Sequence, residues 1–106
     1  MSASLILDTT RRGDGTLVLI ATGEIDLSNI DAFNKALTAS TAEAASSGAK
    51  LSVDLGAVAY LDSAAINALY HVADHIELIA NPLLMRSLTI CGLAELVTIE
   101  APPPSH

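Results

Sequence analysis

The stretch that decides the fold is Lys50-Leu-Ser-Val-Asp-Leu-Gly-Ala-Val-Ala-Tyr-Leu-Asp-Ser63. In its first half, apolar and polar residues alternate, with Leu51, Val53 and Leu55 on one side, and this pattern predicts a half-buried β-strand over 50–55. A short loop is expected to follow the strand. Asp62-Ser63 are expected to begin a helix, because apolar residues then recur at helical spacing. The buried side of that helix is predicted to carry Ile66, Leu69, Tyr70 and Ala73.

Strand and helix patterns alternate on both sides of this stretch. Strands are predicted over 4–9, 16–22 and 76–80, the first two joined by a glycine-containing turn at 12–15. A helix is expected from an N-cap at Ser28, with Asp31 in the capping-box position. Another is expected from Pro82 until Gly92 stops it, and 96–100 is expected to add a last turn or edge strand. The alternation predicts a single α/β domain with a four- or five-stranded mixed sheet and about three helices mainly on one face.

Composition narrows the functional classes. The 106 residues are 51% hydrophobic and only 3% aromatic, which predicts one core of aliphatic side chains. No apolar run is long enough for a membrane span, and the N-terminus lacks a signal-peptide pattern, so a cytoplasmic protein is expected. The net charge is −7 and the five cations are scattered, which argues against nucleic-acid binding. The domain is predicted to cover 1–100, followed by a Pro-rich tail at 101–106.

Three motifs occur in order along the chain. They are Thr22-Gly-Glu-Ile-Asp-Leu-Ser28, Val53 to Ser63, and Leu88-Thr-Ile-Cys-Gly-Leu-Ala-Glu-Leu96. Together, over roughly residues 16–100, they resemble the STAS domains of anti-sigma factor antagonists. The resemblance places the phosphorylated serine of that family at Ser63, directly after Asp62.

The resemblance implies a function based on partner switching. The unphosphorylated chain would bind an anti-sigma factor and free a sigma factor, until that partner, a serine kinase with its own ATP and Mg²⁺, phosphorylates Ser63. A phosphatase would then reset it. The chain itself would be no enzyme, would hold no cofactor or metal, and would be a monomer or weak dimer. The expected partner-binding residues are Gly23, Glu24, Asp26, Ser28, Asp62, Ser63 and Ala64.

Other interpretations remain open at this stage. Ala64 and Ala65 stand where the family often has Ser or Thr and then Gly, so an adaptor subunit of a lipid-transport ATPase or a stress-sensing complex, without phosphate switching, is the alternative. Ser63 and Ser28 also suit simple helix caps. Asp26 and Asp62 could help position the kinase's Mg²⁺ during transfer. His71 and His75 have metal-ligand spacing but are expected to be solvated, and Cys91 is expected to be a small core residue.

Overall fold

The computed structural model describes residues 4–102, which form one five-stranded mixed sheet with helices against it. The strands lie side by side in chain order; β1 is antiparallel to β2, and the other neighbours are parallel. The strands are β1 (Leu5–Arg11), β2 (Leu17–Ile25), β3 (Leu51–Leu61), β4 (Ile76–Ala80) and β5 (Ile99–Glu100). The helices are α1 (Ile30–Ser46), α2 (Ser63–His71), α3 (Pro82–Ile90) and α4 (Leu93–Leu96).

The strand β3 is longer than the sequence predicts. The strand continues through residues 56–61, which the sequence analysis assigns to a loop, and pairs there with the second half of β2. Two irregularities in the β2–β3 register, between Ile20 and Thr22 and between Gly23 and Glu24, bend this part of the sheet. The Asp54 carboxylate accepts the N–H of Gly56 at 2.9 Å, which satisfies a backbone donor beside the first irregularity.

The start of α1 also differs from the prediction. The N-cap is Asn29, so the prediction of a capping box formed by Ser28 and Asp31 is wrong. The cause is the loop before the helix, where the Ser28 hydroxyl donates to Asp26 instead of turning toward the helix. Local side-chain bonds of this kind compete with capping, because the same oxygen cannot serve both geometries.

The helices cover one face of the sheet. Every second residue of the strands points to the helices, and these side chains form one apolar core with the inner sides of α1, α2, α3 and α4. Phe33 and Leu37 from α1, Leu69 from α2 and Leu88 from α3 are almost fully buried. The predicted aliphatic core and the placement of the helices on one face are confirmed.

The C-terminal part of the chain adds the edge strand β5 to the sheet. Gly92 ends α3 with a φ of 83°, so the predicted stop is confirmed, and the chain passes through α4 into β5. After β5, the Pro102 ring lies against Gly56, where a Cβ would stand 3.1 Å from Cγ of the proline. Of the predicted Pro-rich tail, 103–106 lies outside the described residues. None of the helices within 4–102 is long and apolar enough to cross a membrane.

Candidate functional site

The candidate site lies where two neighbouring parallel strands end. Ile25 at the end of β2 pairs with Leu61 at the end of β3, and the N–H of Asp62 donates to the Ile25 carbonyl at 3.1 Å. Asp26 and Asp62 each follow one of these paired residues directly. The structure therefore brings together two segments that are far apart in the sequence, 23–28 and 62–64.

Ser63 is the first residue of α2, and its side chain is exposed. Within residues 4–102, no hydrogen bond is found for its hydroxyl group. The helix is capped by Asp62, whose carboxylate accepts the N–H of Ala65 at 3.1 Å. The alternative in which Ser63 is the N-cap is thus wrong, and Asp62 has that role. A hydroxyl in the first turn stands beside backbone N–H groups that have no partner in the helix, an environment that stabilises an anion.

The loop after β2 is held together by its own polar side chains. Asp26 Oδ1 accepts both the N–H of Ser28, at 2.8 Å, and its hydroxyl, at 2.5 Å. Asn29 closes the loop, because its Oδ1 accepts the N–H of Asp26 at 3.0 Å and its Nδ2 donates to the Glu24 carbonyl at 2.9 Å. Sequence reasoning missed Asn29, although an Asp and an Asn three residues apart are a frequent sign of such side-chain-closed turns.

Gly23 is required by the backbone. Its φ is 113°, and a Cβ there would lie 2.2 Å from the carbonyl oxygen of Ser4, the residue just before β1. The close approach lets the N–H of Glu24 donate to that same oxygen at 3.0 Å. The positive φ and the close approach of Ser4 therefore explain why the Gly-Glu-Ile-Asp motif begins with a glycine.

Two large apolar side chains are exposed on or next to the segments that form the site, and sequence reasoning missed both. Leu27, between Asp26 and Ser28, is 78% exposed, and Tyr60, two residues before Asp62, is 50% exposed. Tyr60 pairs with Glu24 across β2 and β3, so the two strand ends also share this surface. An apolar residue between loop residues was the available signal for Leu27.

Carboxylates give the site a negative charge. Glu24 is exposed and Asp26 and Asp62 are half-buried, while Ala64, the last predicted contact, is half-buried in the first turn of α2. No ion pair to any of these carboxylates is found within residues 4–102. No pocket is found in that part of the chain either. The site is an open surface of a hydroxyl, carboxylates and two apolar side chains.

The far end of α2 is fixed to α3. The Tyr70 hydroxyl donates to the carbonyl of Cys91, and loss of hydration at this contact raises the pKa of Tyr70. The two histidines do not share one helix: α2 ends at His71, and a short 3₁₀ turn, Ala73–His75, follows. The break corrects the expectation, implied by the metal-ligand spacing of His71 and His75, that both residues lie on one helix. In the described part of the chain, no group of three or more metal-ligating side chains is found.

Comparison with known proteins identifies the family. A family model described as "Mlab, STAS domain" matches residues 9–98, which is most of the chain. The chain belongs to the STAS domain family. The resemblance derived from the three motifs is therefore confirmed, and the match covers both strand ends of the candidate site. No curated protein matches this STAS chain.

Solved structures show the same STAS fold. An anti-sigma factor antagonist from Mycobacterium paratuberculosis is similar with a TM-score of 0.83 and 23% identity, over 94% of this chain and 88% of that one. The anti-sigma factor antagonist SpoIIAA, in its unphosphorylated form, is similar with a TM-score of 0.62 and 14% identity, over 91% of this chain and 89% of that one. At these identities the likeness concerns the fold.

Proposed function

We propose that this STAS domain is an anti-sigma factor antagonist. It binds an anti-sigma factor that is also a serine kinase, frees a sigma factor, and is switched off when the kinase phosphorylates Ser63. Two solved proteins of the same fold are anti-sigma factor antagonists, and this likeness supports the partner class. The observation that carries the proposal is the exposed hydroxyl of Ser63 in the first turn of α2.

The surface around Ser63 supports a protein interface. Leu27 and Tyr60 provide exposed apolar area, and such side chains contribute most of the binding energy when they are buried at the centre of an interface. The loop of Leu27 is held in place by the Asp26 and Asn29 bonds, so little conformational entropy is lost on docking. Glu24, Asp26 and Asp62 would lie around these contacts and favour a partner with positive charge.

A phosphate on Ser63 would act on the interface and leave the fold intact. It adds about −1.5 to −2 charges at a helix end whose N–H groups tolerate an anion. Since Asp62 directly precedes Ser63, the combined charge requires desolvation whenever a partner covers it. The kinase supplies ATP and Mg²⁺, a phosphatase restores the hydroxyl, and the chain itself has no catalytic residue in this scheme.

The test combines phosphorylation and binding. The protein is mixed with candidate anti-sigma kinases and ATP, and its mass is measured. A single added phosphate on wild type, absent in Ser63→Ala, is the expected result. Ser46→Ala is the matched control, because Ser46 is also exposed but lies at the end of α1 opposite the site loop, outside the predicted partner-binding residues, and should leave the phosphate in place. Phosphate on Ser63→Ala, or none on wild type with any of the kinases, would count against the switch.

The alternative is a STAS-type adaptor in a lipid-transport ATPase or a stress-sensing complex, using the same surface without phosphate turnover. Two observations favour it. Ala64 and Ala65 follow Ser63 directly, and the description of the matching family model names Mlab rather than an anti-sigma factor antagonist. Purification from native cells separates the two: a histidine-kinase-like ATPase supports the antagonist, and a transporter ATPase supports the adaptor.

A further inference from the structure

The outer edge of β1 is a second candidate interaction surface, away from the Ser63 site. β1 is an edge strand, since β2 pairs with only one of its sides. All seven of its residues pair with β2 in an unbroken register, whereas the other edge strand, β5, has only two residues. Many proteins protect long edges with Pro, Lys or a bulge, and β1 has none of these. Only its two charged residues, Asp8 and Arg11, limit what can pair with it.

Alternate residues of β1 direct their backbone groups away from the sheet. At one end of the β1–β2 ladder, the carbonyl of Ser4 accepts the N–H of Glu24 at 3.0 Å. At the other end, the N–H of Arg12 donates to the carbonyl of Thr16 at 2.9 Å. The even-numbered residues therefore bond to β2. Because the direction alternates along a strand, the odd-numbered residues 5, 7, 9 and 11 present their N–H and C=O groups at the outer edge.

The bond made by Thr9 agrees with this direction. The N–H of Thr9 donates to the carboxylate of its neighbour Asp8, at 2.9 Å, and not to β2. Both residues are exposed, as are Thr10, Arg11 and Arg12. Within residues 4–102, no other strand pairs with this edge. A pairing strand that offers a carbonyl to Thr9 would release the carboxylate of Asp8 for another contact.

The edge carries one negative and one positive side chain on the same face of the sheet. Asp8 and Arg12 are both even-numbered, so they point to the face opposite the helices. The guanidinium of Arg12 lies against that face, where it donates to the hydroxyl of Ser52 at 3.1 Å. Arg11 points to the helical side and forms an ion pair with Glu43 there. Asp8 forms no ion pair in the described part of the chain.

This arrangement of charges is complementary to itself when two copies run antiparallel. Two-fold symmetry places one residue opposite its own copy, so the strands can be centred on Asp8, Thr9 or Thr10. Centring on Asp8 brings two carboxylates together, which is unfavourable. Centring on Thr9 places Asp8 opposite Thr10 of the second copy. Centring on Thr10 places Asp8 of each copy opposite Arg12 of the other, which gives two pairs of opposite charge.

The register centred on Thr10 also satisfies the outward backbone groups. Thr9 of each copy lies opposite Arg11 of the other, and each of these pairs exchanges two N–H to carbonyl bonds. The Thr10 pair and the two pairs of Asp8 with Arg12 are then non-hydrogen-bonded pairs, in which opposite Cα atoms are closest, at about 4.5 Å. Thr–Thr pairs and pairs of opposite charge stabilise antiparallel strands at such positions. Arg12 keeps donors for Ser52, because a guanidinium has five N–H groups.

The net charge of each copy opposes association but does not prevent it. Each chain carries a net charge of −7. Exposed charges more than about 8 Å apart are largely screened at physiological ionic strength, so the charges nearest to the joined edges decide the register. Those nearest charges are the attractive pairs of Asp8 with Arg12. A weak dimer is therefore expected, in which a second copy of this chain covers the β1 edge.

We propose that two copies of this chain pair their β1 strands antiparallel about a two-fold axis at Thr10. The two five-stranded sheets form one continuous sheet with all the helices on one face. Thr10 pairs with Val18 near the start of β2, whereas the Ser63 site lies at the end of β2. Both Ser63 sites therefore stay open, at opposite ends of the joined sheet, and one dimer can hold two partners.

The first test reverses the paired charges. Dimerisation is measured by sedimentation equilibrium at protein concentrations up to about 1 mM, where a weak dimer is populated. Asp8→Arg or Arg12→Asp alone puts like charges opposite each other twice and should weaken the dimer at least about tenfold. The double variant Asp8→Arg/Arg12→Asp restores opposite charges and should dimerise within about threefold of wild type. Circular dichroism checks that each variant is folded.

Matched controls separate the edge from the overall charge. Asp31→Arg and Lys35→Asp make the same changes in net charge on the exposed side of α1, and each should leave dimerisation within about twofold of wild type. Ser63→Glu should also leave it unchanged, so failure of this proposal is distinct from failure of the proposed function. A wild type that is monomeric at every concentration, or a folded double variant that is no better than the single ones, would overturn the proposal.

The second test reports the register by a disulfide. In a Cys91→Ala background, Thr10→Cys places two thiols in a non-hydrogen-bonded pair, at a Cα separation that a disulfide spans. Mild oxidation should convert this variant to a covalent dimer on a non-reducing gel. Thr9→Cys in the same background should crosslink much less, because Thr9 lies opposite Arg11. Preferential crosslinking through Thr9→Cys would overturn the register centred on Thr10.

Discussion

The substitution Gly23→Ala tests the backbone geometry that supports the candidate site. The new methyl group would stand 2.2 Å from the carbonyl oxygen of Ser4, and the residue would have a φ of 113°. A side chain rarely adopts that φ, and the strain costs roughly 1–3 kcal/mol. The methyl also pushes β1 away, which breaks the 3.0 Å bond from the N–H of Glu24 to Ser4. A lost hydrogen bond adds about 0.5–1.5 kcal/mol.

The two effects together predict a loss of about 1.5–4.5 kcal/mol in the free energy of unfolding. For a domain of this size, the melting temperature should fall by roughly 10–25 °C. The measurement is urea unfolding followed by circular dichroism, with thermal melting alongside. Because the loss is large, binding assays on Gly23→Ala need a temperature at which the variant is folded.

Two other glycines provide matched controls. Gly15 has a φ of 91° but open space around a new Cβ, so Gly15→Ala has the strain without the collision. Gly13 has neither, and Gly13→Ala should change stability by no more than about 0.5 kcal/mol. The expected order of destabilisation is Gly13, then Gly15, then Gly23. If Gly23→Ala unfolds at the same urea concentration as Gly15→Ala, the close approach of β1 to Gly23 is refuted.

Three further predictions concern α2. Ser63→Ala should keep the affinity for the anti-sigma partner, and Ser63→Glu should lower that affinity by at least about tenfold, as measured by calorimetry. Equal affinity of Ser63→Glu and wild type would contradict the switch. Asp62→Ala should destabilise the domain by about 1 kcal/mol, and Asp62→Asn by less, because only the asparagine keeps an acceptor for the N–H of Ala65. Equal losses of the two variants in urea unfolding would show that the cap contributes nothing. Loss of hydration and the bond to Cys91 favour the protonated form of Tyr70, so folding raises the pKa of its hydroxyl. The stability that this group contributes is therefore fully present below the unfolded pKa of about 10. It is lost as the pH rises through the higher pKa of the folded protein. Tyr70→Phe should remove this part of the alkaline loss of stability, and an unchanged pH profile would refute it.

Local patterns carried most of the fold. The alternation in 51–55 and the apolar run of β2 identified strands, since period-two burial is a property of consecutive residues. The bounds Ile76–Ala80 were predicted correctly, as was the α3 segment from Pro82 to the stop at Gly92. Each of these signals is contained in a few neighbouring residues.

The errors have a common cause. Residues 56–61 contain Gly and Ala, which are weak strand formers, and they are a strand only because β2 pairs with them through two irregularities. Serine often caps helices, but the hydroxyl of Ser28 donates to Asp26, and Asn29 is the N-cap. Leu27 and Tyr60 were missed because exposure depends on neighbours that are distant in the sequence.

The sequence by itself determined the α/β class, the aliphatic core, and the chemistry of the Asp62-Ser63 pair at a helix start, because periodicity and residue type act locally. Only the tertiary structure decided that segment 23–28 lies beside Ser63 and that Gly23 must be a glycine. These features depend on strand register. Register is fixed by the packing of the whole sheet against its helices, and no short stretch of sequence contains it.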